Sequence, residues 1–153
     1  MNIDGKLAEM GLTLPQAAAP VASYVSVVEH GGLLHVSGQI AWDADGQLIK
    51  GTLGAGMDVA AGAEAAKRCA LGVVAQVGAA LGGDWGRLER FVKLGVFVAS
   101  APDFTDQPKV ANGASDLLVA LFGDAGKHAR AAVGVASLPL GVAVEVDAVV
   151  AVK

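Results

Sequence analysis

Two charged side chains of this 153-residue chain, Arg130 and Glu145, lie inside apolar runs, where a charge is costly unless it is paired or used. A guanidinium fork binds a carboxylate through two parallel hydrogen bonds, and a carboxylate close by can take a proton or hold a water. The two residues flank Ser137-Leu138-Pro139-Leu140-Gly141. Strands meeting antiparallel about Leu138 would bring Arg130 opposite the neighbourhood of Glu145. The same spacing also suits a structural ion pair across two strands, so from the residues alone both readings stay open.

Other polar residues have plainer readings. Ser37, with Gly38 and Gln39 at a strand end, suits a hydroxyl bonded to backbone. Tyr24, the single tyrosine, would be a core residue with its hydroxyl at the surface. His35 shares a face with Ser37 and reads as a packed strand residue, and Cys69 reads as a small buried hydrophobe. Asp147 is a solvated neighbour of Glu145, while Asn112 lies with Lys109 and Asp116 on the polar side of a helix. The sequence has no Gly-x-Ser-x-Gly elbow, Walker loop, His-Glu-x-x-His or dinucleotide fingerprint. His30, His35 and His128 lack ligand spacing, so neither a metal nor a cofactor is expected.

The elements that must position these residues follow from periodicity. Ile3 to Met10 reads as a short amphipathic helix stopped by Gly11, and Pro15 to Pro20 as a linker. Residues 23–29 and 33–40 read as a hairpin broken at His30-Gly31-Gly32. Between Asp58 and Leu81 the apolar positions Val59, Ala63, Ala66, Ala70, Val73, Val77 and Leu81 recur every three or four residues, which is a helix, with Glu64 and Arg68 paired on its outer side. A strand from Phe91 to Ala99 leads to a second helix ending near Phe122, with Val110, Ala114, Leu117, Leu118 and Leu121 on its apolar side. Arg130 to Ala136 and Val142 to Val152 close the order β, β, α, β, α, β, β. This predicts an α+β sheet with two helices on one face. Strands such as Phe91 to Val98 are apolar on both sides, so the second face also needs a cover, and another copy of the chain is the simplest one.

Composition agrees: 54% of residues are hydrophobic and only 17% charged, against about 25% in an ordinary domain. That excludes disorder, and a large subunit interface would account for so few polar groups. No run approaches the roughly 20 apolar residues of a membrane helix. The N-terminus lacks the features of a secretory signal, and a cytoplasmic location is expected. One cysteine excludes an intrachain disulfide. A net charge of −4 opposes binding to nucleic acid, and Arg87, Arg90 and Lys93 read as a solvated edge.

Tyr24, Val36-Ser37-Gly38-Gln39-Ile40, Ala129-Arg130-Ala131-Ala132-Val133-Gly134-Val135 and Leu138-Pro139 before Val144-Glu145-Val146 together resemble the Rid family (RidA/YjgF). The resemblance divides the chain into an extension and linker, 1–19, and a Rid-like domain, 20–153. It implies a chorismate-mutase-like α+β fold with an antiparallel or mixed sheet, and a homotrimer with clefts between subunits. The implied reaction is hydrolysis of reactive 2-imino acids to 2-keto acids and ammonia. It also implies roles: Arg130 for the carboxylate-binding arginine, Glu145 for the water-positioning glutamate, and Tyr24 and Ser37 for cleft-lining residues. Two positions depart from the family pattern. A cysteine found in some members is Ala132 here, and the expected helix asparagine is Ser115, with Asn112 one turn earlier. Members are also described as translation inhibitors or endoribonucleases. The alternatives are a noncatalytic trimer binding 2-keto acids or related carboxylates and, third, a ribonuclease.

Overall fold

The computed structural model describes residues 1–20 and 22–153. Its centre is a five-stranded sheet in the order β1-β2-β7-β5-β6. These strands are β1 (Val27–His30), β2 (Leu33–Ile40), β5 (Leu88–Ala99), β6 (Ala129–Val135) and β7 (Val144–Val152), with a short parallel pair, β3 (Thr52–Leu53) and β4 (Gly56–Met57), beside it. All pairings in the large sheet are antiparallel except β5 with β6. The sheet is therefore mixed, and three helices complete a single α+β domain.

Helix α2 (Val59–Ala80) starts where the Asp58 carboxylate accepts a hydrogen bond from the Ala61 amide at 2.8 Å. Its apolar stripe and that of α3 (Gln107–Phe122) cover the face of the sheet made by Leu34, Leu94, Val96, Val146 and Val150, all fully buried. Gly113 lets the two helices touch, since a Cβ there would run into the Ala63 carbonyl. Helix α1 (Ile3–Glu9) buries Ile3 and Leu7, and Lys6 Nζ donates to the Leu121 carbonyl at 2.8 Å. Leu12 and Leu14 pack against the core, so the chain between α1 and the stretch read as a linker, Pro15 to Pro20, is held down.

One expectation about the strands is overturned. β6 and β7 are not neighbours, because β5 lies between them and pairs with both. The turn around Pro139 looks local, but it carries the chain from the sheet edge across β5 to the centre. β6 reaches its parallel place beside β5 through the α3 crossover, since parallel neighbours cannot be joined by a tight turn. The expectation of a second apolar face without a cover of its own holds for the single chain. That face carries Val28, His35, Val149 and Lys93 in one row across the sheet and Ile40, Glu145, Phe97 and Val133 in another.

Candidate functional site

Strand register decides what Arg130 and Glu145 can do. Arg130 aligns with Leu94, which aligns with Ala148, and Leu94 is buried against the helices. Arg130 therefore lies on the helix side. Glu145 aligns with Phe97, and it alternates with the buried Val144 and Val146, which puts it on the open side. Two strand spacings and three residues separate them, a backbone distance of roughly 14 Å, with the side chains on opposite faces. The reading in which they stand opposite each other in one chain is corrected, and so is the intrachain ion pair.

On its own face Arg130 has a built surround. One terminal guanidinium nitrogen donates to Asn112 Oδ1 at 3.0 Å and to Ser115 Oγ at 3.1 Å, and the other donates to the Pro108 carbonyl at 3.4 Å. Both helix residues proposed for the asparagine position thus meet the arginine. Among the described residues no carboxylate pairs with it. His128 joins the same cluster, with Nε2 2.9 Å from Ser115 Oγ and Nδ1 2.6 Å from the Gly126 carbonyl. This histidine was not among the candidate residues. A signal for it does exist in the sequence: His128 and Arg130 are two residues apart at a strand start, a spacing that puts both on one face.

On the open face Glu145 is half-buried beside Gly38, where a Cβ would collide with its carboxylate. Burial is the larger cause that raises its pKa above the ordinary glutamate value, and the charge of Asp147 adds to it. No ion pair among the described residues involves it. Replacing Asp147 by Asn removes the repulsive part and leaves the burial, so the Glu145 pKa should fall toward, but not to, the ordinary value. A carbon-13 titration of the Glu145 carboxyl checks this, and an unchanged midpoint would contradict it.

The remaining candidates are dispersed. Ser37 donates to the Val25 carbonyl at 2.9 Å, the plain role its position suggested, and lines a hollow with His35, Lys93 and Asp147 on the open face. Tyr24 is 52% exposed, so it is no core residue, and it makes no side-chain hydrogen bond among the described residues. His35 is exposed rather than packed, because its face of the sheet has no helix. Cys69 is fully buried, with its thiol donating to the Val144 carbonyl at 3.3 Å and its pKa pushed up, first by burial and then by Glu145. No group of three or more acidic, histidine or cysteine residues among those described could hold a metal ion. No helix among them is long and apolar enough to cross a membrane.

A mixed sheet with helices on one face, a guanidinium without a counter-ion among the described residues and a carboxylate with a raised pKa are thus combined in one α+β domain. The family model described as endoribonuclease L-PSP matches residues 14–152, nearly the whole chain. The chain belongs to that family, the YjgF/RidA group. It is 54% identical over 150 residues to Protein TCP17 of Trypanosoma cruzi, covering 97% of this chain and 93% of that one. It superposes on the crystal structure of Atu1372 from Agrobacterium tumefaciens with a TM-score of 0.91 at 46% identity, covering 99% of this chain and 94% of that chain. The structure of E. coli TdcF with bound serine matches at a TM-score of 0.62 and 27% identity, over 90% of this chain and 94% of that one. Membership supports a small-molecule-binding or deaminase-like role.

Proposed function

We propose that the protein hydrolyses small reactive 2-imino acids to 2-keto acids and ammonia, in clefts formed where copies of the chain meet as a homotrimer. One observation carries this reading. Among the described residues Arg130 has no anionic partner and Glu145 no cationic one, and they face opposite sides of one sheet, so a neighbouring copy is what could bring the two chemistries together. The β6 edge of one copy would present Arg130 to the Glu145 face of the next. Such packing would also cover the open face.

In that cleft the guanidinium takes the substrate carboxylate through paired hydrogen bonds. Glu145 of the neighbouring copy accepts a proton from a water as its oxygen adds to the C=N carbon. The proton passes to nitrogen, and the carbinolamine collapses to the keto acid and ammonia. The raised pKa suits a carboxyl that must both take and return a proton. The structure of TdcF holds bound serine, a small carboxylate, which supports the reading of Arg130 as a carboxylate binder. RNA hydrolysis is the weaker alternative, because the chain carries a net charge of −4 and a polyanion needs clustered cations.

The test generates 2-iminopropanoate in situ and follows its disappearance, with light scattering after size exclusion to count subunits. Accelerated loss by a trimer is the expected result. If the rate stays at the uncatalysed value while 2-keto acids bind in an Arg130-dependent way, the protein is a carboxylate-binding module instead. A monomer at micromolar concentration would remove the intersubunit cleft altogether.

A further inference from the structure

We infer that His128, acting through the Ser115 hydroxyl, is a positioning residue that fixes the guanidinium of Arg130; this rests on the reading of Arg130 as the carboxylate binder. The argument is one of proton inventory. The Gly126 carbonyl can only accept, so at 2.6 Å the nitrogen facing it, His128 Nδ1, carries a hydrogen. In the neutral ring Nε2 is then bare and accepts, so the Ser115 hydroxyl donates its single hydrogen to Nε2 at 2.9 Å. With that hydrogen committed, only lone pairs of Ser115 Oγ remain, and they face Arg130 at 3.1 Å. The result is a one-directional chain, Arg130 to Ser115 to His128 to Gly126. Without the imidazole the hydroxyl could rotate its hydrogen toward the guanidinium and cease to be an acceptor.

The chain is anchored at its far end. Gly126 is buried in the turn that follows α3, and a Cβ there would strike the Leu118 carbonyl, so this turn lies directly on the helix. The neutral ring is favoured where it sits: burial, the largest influence, and the charge of Arg130 lower the His128 pKa, while the Gly126 carbonyl opposes them. Asn112 supplies a second acceptor at 3.0 Å that does not depend on His128. The guanidinium is thus held from two sides, one fixed by an amide and one by a relayed hydroxyl. A bidentate partner requires the fork's plane to be set in advance, which is what two acceptors on one nitrogen accomplish.

The experiment uses the full chain labelled with nitrogen-15. Histidine spectra should show His128 protonated at Nδ1 and bare at Nε2 at neutral pH. Rotation of the Arg130 guanidinium should be slow in wild type and faster in His128→Phe and in Ser115→Ala. Affinity for 2-oxobutanoate, a stable carboxylate probe, should drop about tenfold in each variant and no further in the double variant, since both break one chain. His128→Gln, which keeps an acceptor near the Nε2 position, should retain most of the affinity and guards against a fold lost in His128→Phe. A ring protonated at Nε2, or single effects that multiply in the double variant, would overturn the inference. If Arg130→Ala leaves 2-oxobutanoate binding intact, the carboxylate reading fails instead, and the rotation data then report on the relay separately.

Discussion

Arg130→Ala is expected to lower the efficiency of imine hydrolysis by about thirtyfold or more. Truncating one partner of a guanidinium–carboxylate pair in a partly desolvated cleft costs roughly 2 to 5 kcal/mol, and the lower bound alone corresponds to about thirtyfold. The loss should fall mainly on substrate affinity. The fold should tolerate the change, because the arginine sits on an edge strand and its partners Asn112 and Ser115 lie on the exposed to half-buried side of α3, where water can replace it. Steady-state kinetics beside a melting curve check both halves. Full efficiency in a folded Arg130→Ala protein would remove the carboxylate grip from the mechanism.

Glu145→Gln should behave in the opposite way, with turnover falling on the order of 10²-fold or more while 2-oxobutanoate still binds, since the amide keeps the shape but cannot accept the proton. Stability supplies an independent sign. A carboxyl whose folded pKa is raised contributes stability that is present below its unfolded value and lost as pH rises through the folded value. An amide is blind to that change. The variant should therefore gain on the wild type across this window and hold the gain at neutral pH, as denaturant titrations at two pH values would read. If Arg130 and Glu145 act from different chains, the two disabled variants mixed under exchanging conditions should recover activity that neither has alone. Mixtures that stay inactive while subunits demonstrably exchange would contradict the shared cleft.

Local signals carried most of the architecture. The α2 stripe from Val59 to Leu81 was legible because its period is unbroken over six turns and its cap, Asp58, immediately precedes it. Pairing was not legible in the same way. Arg130 to Val135 and Val144 to Val152 are short apolar strands across a Leu-Pro turn, and such a pattern suits a hairpin as well as a crossover. What selects β5 as the partner of both is the α3 connection and the burial of Leu94, Val96 and Val98, which depend on residues more than 30 positions away. At the candidate site the chemical types of Arg130 and Glu145 could be recognised, but their faces could not, because a face follows from register. His35 missed its expected burial because a strand's own pattern does not say which side lacks a helix, whereas Tyr24 missed it because β1 begins only at Val27 and leaves the tyrosine in an exposed bend before the strand.

Gly38 and Gly95 set a condition of a different kind. Each lies beneath an acidic side chain of β7, and a Cβ would strike the Glu145 carboxylate in one case and that of Asp147 in the other. Neither glycine needs an unusual backbone here, since neither has a positive φ. The missing methyl is itself the requirement. Variation that exchanges one acid for another can leave this floor intact, whereas replacing a Gly38 hydrogen by a methyl group pushes the Glu145 carboxylate aside without altering any charge. The smallest side chain is thus a volume reserved, at each of the two positions, for a larger one. A side chain at position 38 would keep Arg130 and Glu145 in the sequence while moving the Glu145 carboxylate from the place that the proposed reaction gives it.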